Sequence, residues 1–308
     1  MKTSKAYTLV ELLVVIFFLG LLSVFLISSY RSIIGEGKST SVSTEREREF
    51  LALHNYLKKT LGSIGFGISR EMLKVAGVNC IDNNLANFKA QNAVIGLAEN
   101  CSLPNTPLHD RLYFRSLYAP GSLKAGCWWY IDPSGYTSSM GVDKWGKPCE
   151  IDQGDPCLFL DINKNLLSTE NCNPPPCKNC FAFYYNSTSP QVFRLHLDEI
   201  GESDTSQRQR CAPKTGILKL QREYNILSHP LFDCVGGLRF ELLYSQNSTL
   251  PYAVRVCLLV QTSGKMNSPR EIPNSSSCGA FYNTLPDPMW TYYRWSVVEE
   301  IIPLKNLQ

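Results

Sequence analysis

The residues best equipped for chemistry in this 308-residue chain are twelve cysteines, four histidines and one glutamate set against an apolar run. The cysteines are Cys80, Cys101, Cys127, Cys149, Cys157, Cys172, Cys177, Cys180, Cys211, Cys234, Cys257 and Cys278, and none precedes residue 80. Thiols kept in a reducing cytosol are few or grouped at metal spacings. An even number strung through one region instead suits disulfides made in an oxidising compartment. The body is therefore expected outside the cytoplasm. Eight cysteines already allow roughly a hundred pairings, so twelve leave the connectivity open.

Each local motif offers a chemistry and a plainer alternative. Cys177-Lys178-Asn179-Cys180 is a C-x-x-C that could ligate zinc or exchange disulfides. It has no second metal-spaced pair nearby and follows Cys172 and the triple proline Pro174-Pro175-Pro176, which reads as a disulfide-tied loop. Asp161-Ile162-Asn163-Lys164-Asn165 begins like a calcium loop, but the sixth position is Leu166 and the twelfth is Cys172, so a polar turn after a strand is expected. His54, His109, His196 and His229 fit no paired-ligand spacing, and there is no phosphate loop, dinucleotide fingerprint or nucleophile elbow. No catalytic residue, metal or cofactor is assigned, and an enzyme is not expected. Cys127-Trp128-Trp129-Tyr130 and Trp290-Thr291-Tyr292-Tyr293-Arg294-Trp295 could form stacking platforms for a ligand or DNA. Strand and core packing explains them with fewer assumptions. A formal net charge of +3 and an isoelectric point near 8.2 lack the concentrated basic face of a nucleic-acid binder.

The elements that position these residues begin with an almost unbroken apolar block from Leu12 to Ile27, preceded by Lys2 and Lys5. Its length approaches the roughly 20 residues that span a bilayer, and the basic flank would sit on the cytoplasmic side. Glu11 stands at its edge, where a carboxyl costs up to about 2.5 kcal/mol in lipid and so calls for a partner. No proline interrupts residues 7–61. Phe50, Leu53, Leu57 and Leu61 share one helical face, beside the alternating charges of residues 45–49. Beyond Gly62, short apolar or alternating runs recur at Leu112–Tyr118, Trp128–Ile131, Cys157–Leu160, Phe181–Tyr185, Val192–Leu197, Ile217–Gln221, Gly237–Tyr244, Tyr252–Thr262 and Trp290–Val298. They are separated by Pro/Gly/Asn-rich connectors, as strands are.

Lys5-Ala6-Tyr7-Thr8-Leu9-Val10-Glu11-Leu12 resembles the processing site of type IV prepilins, with Ala6 where that family usually has glycine. The resemblance implies cleavage between Ala6 and Tyr7, N-methylation of Tyr7, and pairing of Glu11 with the N-terminal amine of a neighbouring subunit. A looser second likeness covers Pro230–Phe240, Tyr252–Leu258 and Pro303–Leu307, which is similar to the end of PilW-like minor pilins and J-type minor pseudopilins. Together they imply an α+β fold with a long N-terminal pilin helix, transmembrane in its first half, packed on an antiparallel β-sheet body with disulfide-tied loops. The implied organisation is a leader over residues 1–6, a transmembrane and filament-core helix over 7–30 and its amphipathic continuation over 31–61. An extracytoplasmic β-rich domain over 62–308 follows, with a cysteine-rich insertion at about 72–215.

The implied placement is single-pass in a bacterial inner membrane with the body periplasmic, then in a pilus or pseudopilus. The implied partners are other minor and major pilins or pseudopilins, the prepilin peptidase and the inner-membrane assembly platform. Calcium on a loop stays a minor alternative, because other pseudopilins use it. The expected function is a minor pilin for initiation or the tip of a type IV pilus. Alternatives are a minor pseudopilin of type II secretion, and a tip adhesin or DNA-capturing subunit.

Overall fold

The computed structural model describes residues 46–80, 85–102, 108–118, 124, 126–143, 145–152, 154–184, 191–200, 210–222 and 225–307. The chain divides into two compact units, Met1–Arg48 and Glu49–Gln308, and the following concerns the second. Helix α1 is described over residues 46–62 and belongs to this unit from Glu49 on. Leu53, Leu57 and Leu61 recur at helical spacing and are buried, while Lys58 and Lys59 face water. Each buried leucine contributes about 2 kcal/mol relative to exposure. The helix stops at a run of turns over residues 63–67, where Gly65 (φ 82°) and Gly67 (φ 66°) adopt left-handed backbone.

After β1 (Val75–Gly77) and the short α2 (Leu85–Ala90) come β2 (Ile95–Cys101) and β3 (His109–Ser116). Next are β4 (Trp128–Ile131), β5 (Thr137–Ser139), β6 (Pro156–Asp161), β7 (Leu166–Asn171) and β8 (Cys180–Tyr184). Then follow β9 (Gln191–Glu199), β10 (Gly216–Arg222), β11 (Asn225–Tyr244), β12 (Pro251–Gln261), the short β13 (Ser275–Ser276) and β14 (Gly279–Ala280), and β15 (Trp295–Pro303). Eight of them form one sheet in the order β1-β2-β3-β9-β10-β11-β12-β15. β11 changes partner along its length, pairing with β10 up to Val235 and with β12 from there on. The change falls at a bulge where Cys234 has φ 54°. Gly236 and Gly237 follow it because a Cβ there would lie 2.6 Å from Trp295 and 2.6 Å from Phe281. Leu238 also meets His109 of β3, so the pairings of β3, β9, β10 and β11 close a ring.

The principal core lies on one face of this sheet, where α1 leucines meet Leu112, Phe114, Leu195, Leu218, Val254 and Val256 among others. Between β3 and β9 the chain builds a second sheet of five strands, ordered β5-β4-β8-β6-β7 and wholly antiparallel. Its core is of another kind: Trp129, Ile131, Phe159 and Ala182 pack around Cys127, Cys149, Cys157, Cys172 and Cys180.

Two expectations require correction. The fold is mainly β rather than α+β carried by a long N-terminal helix, since the described helices are α1 and the single turn and a half of α2, against fifteen strands. A single-pass inner-membrane placement is also overturned: among the described residues no helix is long and apolar enough to cross a membrane. The physical reason is visible in α1, whose lysines at 58 and 59 keep one face solvated while only the leucine stripe is covered. The apolar block from Leu12 to Ile27 lies outside the described residues. Six disulfides point instead to an oxidising environment, periplasmic or extracellular.

Candidate functional site

Of the residues that the sequence singles out, Ala6, Tyr7 and Glu11 lie outside the described residues. The twelve cysteines are all described and all oxidised. They pair strictly with their neighbours in sequence: Cys80–Cys101, Cys127–Cys149, Cys157–Cys172, Cys177–Cys180, Cys211–Cys234 and Cys257–Cys278. The C-x-x-C is thus a closed loop at the entry to β8. Asp161 closes the β6–β7 turn on itself, its Oδ1 accepting from the backbone N–H groups of Asn163 and Asn165 and its Oδ2 from the Asn165 amide 2.8 Å away. The Asn165 side chain leads in holding the Asp161 carboxyl below its usual range. Cys211, Asp233 and Cys234 bring three donor atoms of metal-ligand type together, but both sulfurs are consumed by their own bridge.

Strand alternation sorts the first aromatic cluster into two faces. Trp129 and Ile131 turn into the cystine core, where the Trp129 indole donates to the Cys149 carbonyl at 3.1 Å. Trp128 and Tyr130 point the other way and meet Phe181 and Phe183 of β8. The Trp128 and Phe183 rings are nearly parallel, with an interplanar angle of 13° and centroids 6.0 Å apart. Phe66, from the turns after α1, packs edge-on against Phe183 at 5.2 Å. A groove of about 280 Å³ opens along these rings, with Lys164 and Lys305 on its lining. The second cluster behaves differently. Trp290 is buried in a short turn (Pro288–Tyr292), stacks on Trp295 at 4.4 Å, and both indoles donate to backbone carbonyls.

No known family model, curated protein or solved structure matches this chain. Its chemistry must be read from the residues.

The face of the large sheet opposite the principal core carries a polar stripe that spacing did not reveal. Across β3, β9 and β10 it aligns Tyr113 with Arg194 and Gln221, and across β9 and β10 His196 with Lys219, where the Arg111 charge also acts on His196. Lys219 pairs with Asp198 at 2.9 Å, and Arg194 hydrogen-bonds Gln221. Burial first, and the Arg194 charge second, hold the His196 imidazole at about 3. His196 therefore stays neutral near pH 7, and a base that weak is ill suited to general catalysis there. Apart from the stripe, Asp110 and Arg239 form a buried pair at 2.9 Å. Asp110 also accepts from the backbone N–H groups of Asn100 and Phe240, and Arg239 donates to the Ala280 carbonyl, so one ion pair joins β2, β3, β11 and β14. The signal available in the sequence was the alternation His109, Arg111, Tyr113, Arg115 along a strand.

A larger cleft of about 420 Å³ lies between α1 and residues of β10 and β11. Leu53, Tyr56, Ile217 and Phe232 line it beside the Arg210–Asp233 ion pair. Burial pushes the Tyr56 hydroxyl above its ordinary value. His54 reaches Glu300 at 3.4 Å and His229 is exposed. The described polar groups are thus arranged as structural ties and surface features.

Proposed function

We propose that this chain is a non-enzymatic minor subunit of a type IV pilus-like filament, matured between Ala6 and Tyr7 and assembled through Glu11. The observation that carries this reading is the octapeptide from Lys5 to Leu12, in which a basic leader, a small residue, an aromatic and a glutamate fifth after the cut precede an apolar run. A carboxylate in such a setting needs a compensating charge, and the amine of a neighbouring Tyr7 supplies one. The oxidised, loop-rich body suits a subunit displayed outside the cytoplasm, with other pilins and the prepilin peptidase as partners. The same residues fit a minor pseudopilin of type II secretion, which a secretion defect without a piliation defect would single out.

Mass spectrometry of the mature N-terminus tests the processing step, with methylated Tyr7 as the expected first residue. Glu11→Ala is expected to abolish filament assembly at normal protein level. Unchanged assembly would sink the proposal. A tip-binding reading draws on the cystine-cored sheet, which exposes Tyr136 at 70% and Trp145 at 71% on the segment that the Cys127–Cys149 bridge closes. Removing that segment would then spare assembly and abolish adhesion or DNA uptake.

A further inference from the structure

We propose that the groove between the turns after α1 and the five-stranded sheet binds an acidic saccharide, stacking a sugar ring on Trp128 and drawing its carboxylate to Lys164 and Lys305. The proposal stands apart from the filament reading, since it needs only the folded unit from residue 49 onward.

Three observations converge on it. The first is the surface itself. Phe66, Phe181, Phe183 and Trp128 form a continuous aromatic wall, in which the Trp128 and Phe183 rings stack with nearly parallel planes and both line the groove. The axial C–H face of a pyranose is flat and weakly electropositive, which matches the negative face of an indole. Trp128 and the three phenylalanines are half-buried, not packed away like Trp129.

The second is a hydrogen-bond donor. Trp129, Trp290 and Trp295 each give their indole N–H to a backbone carbonyl. The Trp128 N–H has no acceptor among the described residues, although the ring lines the groove. Indoles placed between an apolar wall and an open site supply that donor to a ligand oxygen.

The third is charge. The ionised groups on the groove lining are Lys164 and Lys305, both cationic, with no carboxylate among the described lining residues. Lys164 is anchored by donating to the Asn306 carbonyl at 3.2 Å, and Asn306 in turn donates to the Gly62 and Ile64 carbonyls. The wall is equally fixed. A Cβ at Gly65 would sit 2.4 Å from Leu307, and one at Gly67 2.4 Å from Leu117, so the turns that carry Phe66 are pressed against their supports. Such a site is largely formed before ligand arrives, which lowers the ordering cost of binding. A volume of about 280 Å³ accommodates one or two sugar rings rather than a chain of nucleotides. Two lysines are also too few for the phosphate track of a nucleic-acid site.

The test is titration of the full-length protein with digalacturonate and, separately, with the neutral disaccharide of the same stereochemistry, followed by tryptophan fluorescence and calorimetry. Digalacturonate is expected to bind at least tenfold more tightly than the neutral sugar, and to weaken as salt rises. Trp128→Ala should remove binding, Trp128→Phe should keep part of it, and the double variant Lys164→Gln/Lys305→Gln should erase the preference for the acid while leaving residual sugar binding. The double variant alters exposed or half-exposed groups, so it carries the test even if Trp128→Ala fails to fold. Equal affinity for both sugars, no binding of either, or binding unchanged in the folded variants would overturn the proposal.

Discussion

The two sheets of this protein are held together by different physics. The large sheet buries an aliphatic and aromatic core drawn from α1, seven of its strands and the C-terminus, with no half-cystine in it. In the small sheet five of the nine buried core residues are half-cystines. A unit of some 60 residues exposes too much of its surface to stand on burial alone, and cross-links reduce the entropy of its unfolded chain instead. The small sheet is therefore free to leave large apolar side chains in water, as Tyr136, Trp145, Ile162 and Leu167 are. Stability supplied by bridges releases the surface for contact with other molecules.

That contrast can be broken from either side. The largest effect is expected in the large sheet, where Asp110→Ala strands Arg239 as a buried charge and costs about 3–5 kcal/mol in urea denaturation. A loss under 1 kcal/mol would mean that the pair is not a structural tie. In the small sheet, Cys157→Ser with Cys172→Ser removes a bridge across 15 residues and should cost about 3 kcal/mol. Hydrogen exchange should rise in β6 and β8 while β11 and β12 keep their protection. Equal loss of protection in both sheets would show that the two share one core after all.

The smallest expected effect sharpens the comparison by pH. His196 has a folded pKa of about 3 against an ordinary 6.5, so the unfolded chain binds the proton more readily. Its neutral burial costs nothing extra above pH 6.5, and stability falls as pH drops from 6.5 towards 3. Between pH 6.5 and 4.5 this amounts to about 2–3 kcal/mol. His196→Gln should flatten that slope in the large sheet and leave the small sheet's exchange rates unaltered. A slope identical to the parent protein's would refute the assignment.

Much of the fold was legible where side chains alternate. The runs at 128–131, 157–160, 192–197, 217–221 and 252–262 coincide with β4, β6, β9, β10 and β12, and three of the four apolar residues assigned to the helix face, Leu53, Leu57 and Leu61, are buried. Other elements were hidden for identifiable reasons. Pro230 argues against a strand, yet it sits within β11 opposite Lys219, in the half that precedes the bulge. β7 has no apolar alternation because it is an edge strand with both faces largely exposed. The aromatic run from Trp290 has the composition of a strand, but it begins in a turn that buries Trp290, and β15 starts only at Trp295.

The candidate site was half legible. Adjacent tryptophans at 128 and 129 announce a strand with one aromatic on each face, but only the tertiary placement of residues 63–68 and 305–306 makes the outer face a groove. The buried ion pair Asp110–Arg239 joins residues 129 positions apart, and nothing in local spacing could have matched them.

The cysteine pairing has a consequence for how the chain is made. Every bridge joins one cysteine to the next, with separations of 3 to 23 residues. A chain threaded across a membrane from its N-terminus delivers each pair to the oxidant before the following pair emerges. The first partner met is then the right one. Such a protein can be sealed progressively during export, with no incorrect bridge to be reopened and no waiting for distant segments to find each other.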